Sequence, residues 1–128
     1  MPTATTHDVK VSVETIYQPG FSNPLMAEHV FAYKITIVNH SEYTIQLLRR
    51  HWIIVDSNGE HREVEGEGIV GVQPTLAPGE SHTYMSACNL KSDMGKMSGS
   101  YLFERRADGR YFHVDVPEFH MIVPNRFN

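Results

Sequence analysis

Between Gly66 and Gly71 the chain reads Gly-Glu-Gly-Ile-Val-Gly, with three glycines at the spacing of the dinucleotide-binding fingerprint. That chemistry needs a strand before the glycines and a helix whose N-terminus receives the pyrophosphate. It also needs an acidic residue about 20 positions on, for the ribose. Here Gln73-Pro74 follows, and then Pro78-Gly79, so no helix can start where the phosphate would lie. A phosphate-loop lysine followed by serine or threonine is also missing. A milder use survives, because successive backbone N–H groups in a glycine-rich turn can form a nest for an anion. The structural alternative is that these glycines shape bulges and a crossing between sheets. Ile69 and Val70 at the apex gain little from a turn that only reverses the chain. They either settle onto the body of the domain or stay exposed as an apolar contact for a partner.

Other chemistry-bearing residues are more scattered. Arg50 and Trp52 stand two apart and share a face if they lie on a strand. An inward Arg50 needs a carboxylate or carbonyls as partners, and the domain itself can supply them. Glu63, Glu65 and Glu67 also share a face, but on one strand they spread over roughly 13 Å and cannot converge on a hard cation. They read as a solvated edge that discourages pairing with a neighbouring chain. His113 and Asp115 share a face without a third group to complete a site. Ser86 and Cys88 lack a nucleophile elbow and a sequence-evident base. Cys88, the only cysteine, reads as a small packing residue. It excludes both an intrachain disulfide and a cysteine-rich zinc site.

The elements that position these residues alternate with period 2. Val9, Val11, Val13 and Tyr17 fall on one face of a first strand, Val9 to Tyr17. Phe31, Tyr33, Ile35 and Ile37 do the same in a second, Val30 to Asn39. Thr44 to Asp56 is the most apolar segment and reads as an interior strand, with Trp52 suited to an inter-sheet core. A turn at Asp56-Ser57-Asn58-Gly59 leads to a return strand, Glu60 to Glu65. Gly66 to Glu80 reads as a loop, Ser81 to Leu90 as a strand and Lys91 to Gly99 as a loop. A last hairpin joins Ser100–Arg105 to Arg110–Val116, with Pro117 expected to stop the final strand. The pattern predicts an all-β, antiparallel two-sheet sandwich, with Trp52 suited to an immunoglobulin-like core, in one domain over residues 1–128. Residues 1–7 or so are expected to form a short flexible N-terminus.

The composition agrees. Hydrophobic residues make up 41% and charged residues 20% of 128, enough to bury a core and outside the range of disordered chains. The net charge of −4 carries no long block of one sign and gives no reason to expect nucleic-acid binding. The polar start and the shortness of every apolar run predict a cytoplasmic protein with no membrane insertion.

Several segments resemble the ApaG family: Leu47-Leu48-Arg49-Arg50-His51-Trp52-Ile53-Ile54, the run from Val64 to Pro74, Leu76-Ala77-Pro78-Gly79-Glu80 and Met97-Ser98-Gly99-Ser100-Tyr101, with Val116-Pro117-Glu118-Phe119 closing the domain. The resemblance implies a fibronectin type III-like or immunoglobulin-like sandwich and a genetic association with cobalt and magnesium resistance. It also points toward protein recognition, because similar domains occur inside F-box proteins and a polymerase-interacting protein. The expectation is a non-enzymatic interaction module without a cofactor, bound to an unknown protein partner or to a second copy of itself as a homodimer. Its contact surface is Gly66, Gly68, Ile69, Val70, Gly71, Gln73 and Pro74, with Arg50 beside them. The alternative is a small-molecule binder that holds a phosphate or another anion weakly through the same loop.

Overall fold

The computed structural model describes residues 1–124, which form two antiparallel sheets with apolar side chains between them. Nine strands occur among the described residues: β1 (Thr3–Thr6), β2 (Val9–Tyr17), β3 (His29–Asn39), β4 (Ile45–Asp56), β5 (His61–Glu67), β6 (Thr75–Leu76), β7 (Ser81–Leu90), β8 (Met94–Arg105) and β9 (Arg110–Ile122). One sheet has the order β1-β2-β3-β7, and the other β5-β4-β8-β9 with the short β6 also paired to β4. Among the described residues only two short 3-10 turns, Pro19–Phe21 and Pro24–Met26, interrupt this pattern, both in the connection from β2 to β3.

Alternation carries the core. Val9, Val11 and Val13 from β2 meet Phe31, Tyr33, Ile35 and Ile37 from β3, all buried. From the facing sheet come Trp52, Tyr101, Phe103, Val114 and Phe119. Trp52 lies edge-on to Tyr33, Tyr101 and Phe119, with ring centroids 5.7, 6.1 and 6.3 Å away, the T-shaped geometry that aromatic quadrupoles favour. Gly99 on β8 faces it; a Cβ there would collide with the His51 carbonyl oxygen and come within 2.9 Å of the indole.

Three expectations are corrected by the fold. Thr3–Thr6, placed in a flexible N-terminus, pairs with β2 from Thr3–Ser12 to Thr6–Val9 and lies against β9. The segment 94–99, read as loop because it is small and polar, belongs to the central strand β8. Its glycines are there because neighbours crowd them: a Cβ on Gly95 would come within 2.8 Å of the Val55 carbonyl oxygen. Pro117 does not end β9, which runs on to Ile122. The ladder between β8 and β9 shifts register between Met97–Phe119 and Gly99–Val116, so Pro117 falls in a bulge of an edge strand, where no ladder donor is required of it.

Trp52→Ala should cost about 3–5 kcal/mol of unfolding free energy in urea denaturation, and a loss below about 1 kcal/mol would contradict the packing of its ring.

Candidate functional site

The site starts with a bulge in β4. Pairing with β8 passes from Leu47–Phe103 to Arg49–Leu102, so Leu48 is an extra residue with no opposite number. One extra residue exchanges the faces of a strand. Ile45 and Leu47 point inward before the bulge; Arg50, Trp52 and Ile54 point inward after it. The displaced Leu48 carbonyl accepts hydrogen bonds from the Gly68 N–H (2.8 Å) and from Nε2 of Gln73 (3.0 Å). Further ties run from the Leu47 N–H to the Pro74 carbonyl (3.0 Å) and from Nε2 of Gln46 to the Gln73 carbonyl (3.1 Å). Gln73 and Pro74 therefore fasten the loop to β4.

Arg50 fastens its other end. Its Nη1 donates to the carbonyls of Glu67 (2.9 Å) and Gly68 (3.1 Å). Gly66 makes room for this, since a Cβ there would lie 2.8–3.0 Å from the guanidinium. The expected inward Arg50 is present, satisfied by carbonyls of the domain itself.

At the apex, Ile69 and Val72 exchange two backbone hydrogen bonds, N–H to O, of 2.8 and 3.0 Å. Val70 (φ 45°) and Gly71 (φ 80°) between them both have positive φ, the signature of a type I′ turn. Gly71 suits its position, but a β-branched residue at positive φ is strained. Ile69 is fully buried, whereas Val70 is 65% and Val72 47% exposed. The two apex residues thus divide the two roles open to them: Ile69 anchors and Val70 projects. The N–H groups of Gly68, Ile69 and Val72 are all committed internally, which removes most of the donors an anion nest would use.

The loop borders a cleft that sequence reasoning did not foresee. On one side of the sandwich β1 and β2 close against β9, and the Asp115 N–H donates to Thr6 Oγ1 at 3.1 Å. On the other side β5 has little above it, and all its residues but Gly66 are exposed. The opening between β5 and β7 has a volume of about 430 Å³ and is lined by Arg50, Arg62, Val64, Val70, Tyr84 and Cys88, among others. Arg62 spans it: Nη2 donates to the Asn89 carbonyl and lies 3.6 Å from Cys88 Sγ. Deeper in, the hydroxyls of Tyr84 and Tyr101 meet at 2.5 Å. Burial pushes the phenols of Tyr33, Tyr84 and Tyr101 and the thiol of Cys88 above their ordinary values, so near neutral pH all four keep their protons. Arg62 and Val64 were legible only through register, being opposite Ile54 and Trp52 on the inward face.

The outer face of β5 carries Glu63, Glu65 and Glu67, which do not converge. Glu67 lies 4.0 Å from Arg49, while Glu65 and Glu63 flank His51 Nε2 at 3.8 and 3.7 Å. No group of three or more His, Cys, Asp or Glu side chains that could hold a metal occurs among the described residues. No helix among them is long and apolar enough to cross a membrane.

A family model described as the ApaG domain matches residues 19–105, which hold both the bulge and the loop fastened to it. The chain belongs to the ApaG domain family. Full-length similarity agrees. Protein ApaG of Nitrosomonas eutropha is 48% identical over 118 residues, 92% of each chain. Protein ApaG of Anaeromyxobacter dehalogenans is 43% identical over all of both chains. The crystal structure of the putative ApaA protein from Bordetella pertussis superposes with a TM-score of 0.89 at 40% identity, covering 94% of this chain and 98% of that one. The ApaG fold is thus a two-sheet sandwich.

Gly68→Ala should cost far more than Gly71→Ala. Both have positive φ, which costs an ordinary residue roughly 1–2 kcal/mol. Only at Gly68 would the new methyl also collide with the Val72 carbonyl oxygen; the space around Gly71 is open. Thermal unfolding of the two variants checks the order.

Proposed function

We propose that this ApaG domain is a non-catalytic binding module that recognises a protein partner with the rim formed by Val70, Val72 and the adjoining cleft. The observation that carries the reading is Val70, a β-branched residue held at φ 45° and 65% exposed. An Asn-Gly turn would satisfy the same geometry without strain, so the valine is explained by what its side chain touches outside the chain. The loop is rigid around it, pinned by Ile69, Arg50 and the Leu48 carbonyl, which lowers the ordering cost of binding. The protonated phenols and thiol of the cleft, with no carboxylate among its described lining residues, supply neither a general base nor a ready nucleophile. On this reading the association with cobalt and magnesium resistance acts through the partner rather than through a metal site in the domain.

Val70→Asn should make the domain about 1 kcal/mol more stable by relieving the strain. It should also weaken capture of partners from the native cell. Unchanged capture would reject the loop as the contact. Ile69→Ala serves as the counterpart, losing about 2–5 kcal/mol because its side chain is core. Cobalt or magnesium titrated into the isolated domain should give weak, non-saturating heats, and one-to-one micromolar binding would shift attention to the outer-face glutamates.

A further inference from the structure

Among the described strands at sheet edges, β7 stands apart. β5 is charged at Arg62, Glu63, Glu65 and Glu67; β9 carries Arg110, Asp115, Glu118 and a proline in a bulge; β1 and β6 are only four and two residues long. Charges, prolines, bulges and shortness are the devices that keep edges from pairing. The ten-residue β7, Ser-His-Thr-Tyr-Met-Ser-Ala-Cys-Asn-Leu, has neither Asp, Glu, Lys, Arg nor proline, and among the described residues it pairs only with β3. Its free edge can be read from the alternation of an antiparallel ladder, in which the N–H and C=O of one residue point the same way. The Glu80 carbonyl is turned toward β3, where it accepts from the Asn39 N–H, while the Asn89 carbonyl is turned outward to Arg62. By the same alternation the backbone groups of Thr83, Met85 and Ala87 face outward.

The space beyond that edge lies above β5. There the inward-facing positions of the opposite sheet run Arg62, Val64, Gly66, and the place of a side chain at Gly66 is taken by the Arg50 guanidinium. A strand added to β7 would cover Val64, which is 38% exposed, and set two guanidiniums below its own inward side chains. The β5 positions that mark them, Arg62 and Gly66, are four strand residues apart, roughly 13 Å along the strand. No carboxylate lies among the described residues lining the cleft, although the chain as a whole has a net charge of −4.

We propose that β7 is a docking edge for an extended peptide segment of a partner protein, which adds as a fifth strand and places the pattern acidic-x-apolar-x-acidic over Arg62, Val64 and Arg50. Backbone hydrogen bonds to Thr83, Met85 and Ala87 give the affinity, and the inward side chains give the selection, the division of labour usual in strand addition. The two acidic side chains meet guanidiniums that already donate to carbonyls and still have free N–H groups. This deepens the reading of the domain as a protein-binding module and rests on it: it fills the cleft of that reading and adds the β7 edge, without needing the Val70 side chain.

The test titrates the blocked peptide acetyl-Thr-Glu-Thr-Val-Thr-Glu-Thr-amide into the ¹⁵N-labelled full chain. Saturable binding should shift the amides of Thr83, Met85 and Ala87. Replacing both glutamates of the peptide by lysine, or Arg62→Gln in the protein, should weaken it at least tenfold. Met85→Pro removes an outward N–H that the β3 ladder does not use, so it should abolish binding with the fold retained. If that variant fails to fold, a peptide N-methylated at alternate residues removes hydrogen bonds from the other side and should likewise not bind. Binding that survives these backbone changes, or that inorganic pyrophosphate displaces without shifts along β7, would overturn strand addition in favour of a small-anion cleft. Absence of peptide binding, with partner capture still lost in Val70→Asn, would overturn the strand proposal alone. Capture indifferent to Val70→Asn would instead count against the loop contact.

Discussion

The extra residue at Leu48 is the constraint from which the functional side of this domain follows. Without it, β4 would keep one face inward along its whole length, and the side chains that place Ile45 and Leu47 in the core would turn Arg50 and Trp52 outward. The bulge resolves that conflict, and the Leu48 carbonyl is turned away from β8 toward the loop after β5. An unsatisfied carbonyl is costly, and the loop after β5 satisfies it through Gly68 and Gln73. The loop is therefore an extension of the sheet, sharing its rigidity, rather than a mobile connection.

Arg50 completes the same arrangement from the opposite direction. It faces the interior of the sandwich where one sheet has run out of strands, and it is compensated by carbonyls instead of a carboxylate. Carbonyl compensation leaves its formal charge in place. Together with Arg62 it gives a cationic cleft to a chain whose net charge is −4. Local field and bulk charge thus have opposite signs, and bulk charge alone would misjudge what this surface attracts.

Stability and recognition compete at the apex. Burial of Ile69 holds the turn down, whereas Val70 accepts an unfavourable backbone conformation while exposing apolar surface. The uncharged edge of β7 is a similar concession, since an unprotected strand edge risks adventitious pairing. Both features lie beside the opening between β5 and β7, while the opposite side of the sandwich is closed by β1 and β2 against β9.

The strand pattern, the inward faces of β2 and β3, the buried Trp52 and the family were all determined by local sequence, because period-2 alternation and the run from Val64 to Pro74 are properties of adjacent residues. Other features were decided only by residues distant in sequence. Met94–Gly99 forms part of a central strand because the backbone of β4 passes too close for larger side chains, so a composition that reads as loop marks close approach. Pro117 is tolerated because it falls in a bulge of the edge strand β9, where no ladder donor is required, and Thr3–Thr6 is ordered because β2 lies beside it. Within one dipeptide, Ile69 became core and Val70 became surface through a turn whose two positive φ angles no periodicity announces. The cleft itself depends on how two sheets of unequal reach are superposed, and that offset is a property of packing between strands rather than of any one segment.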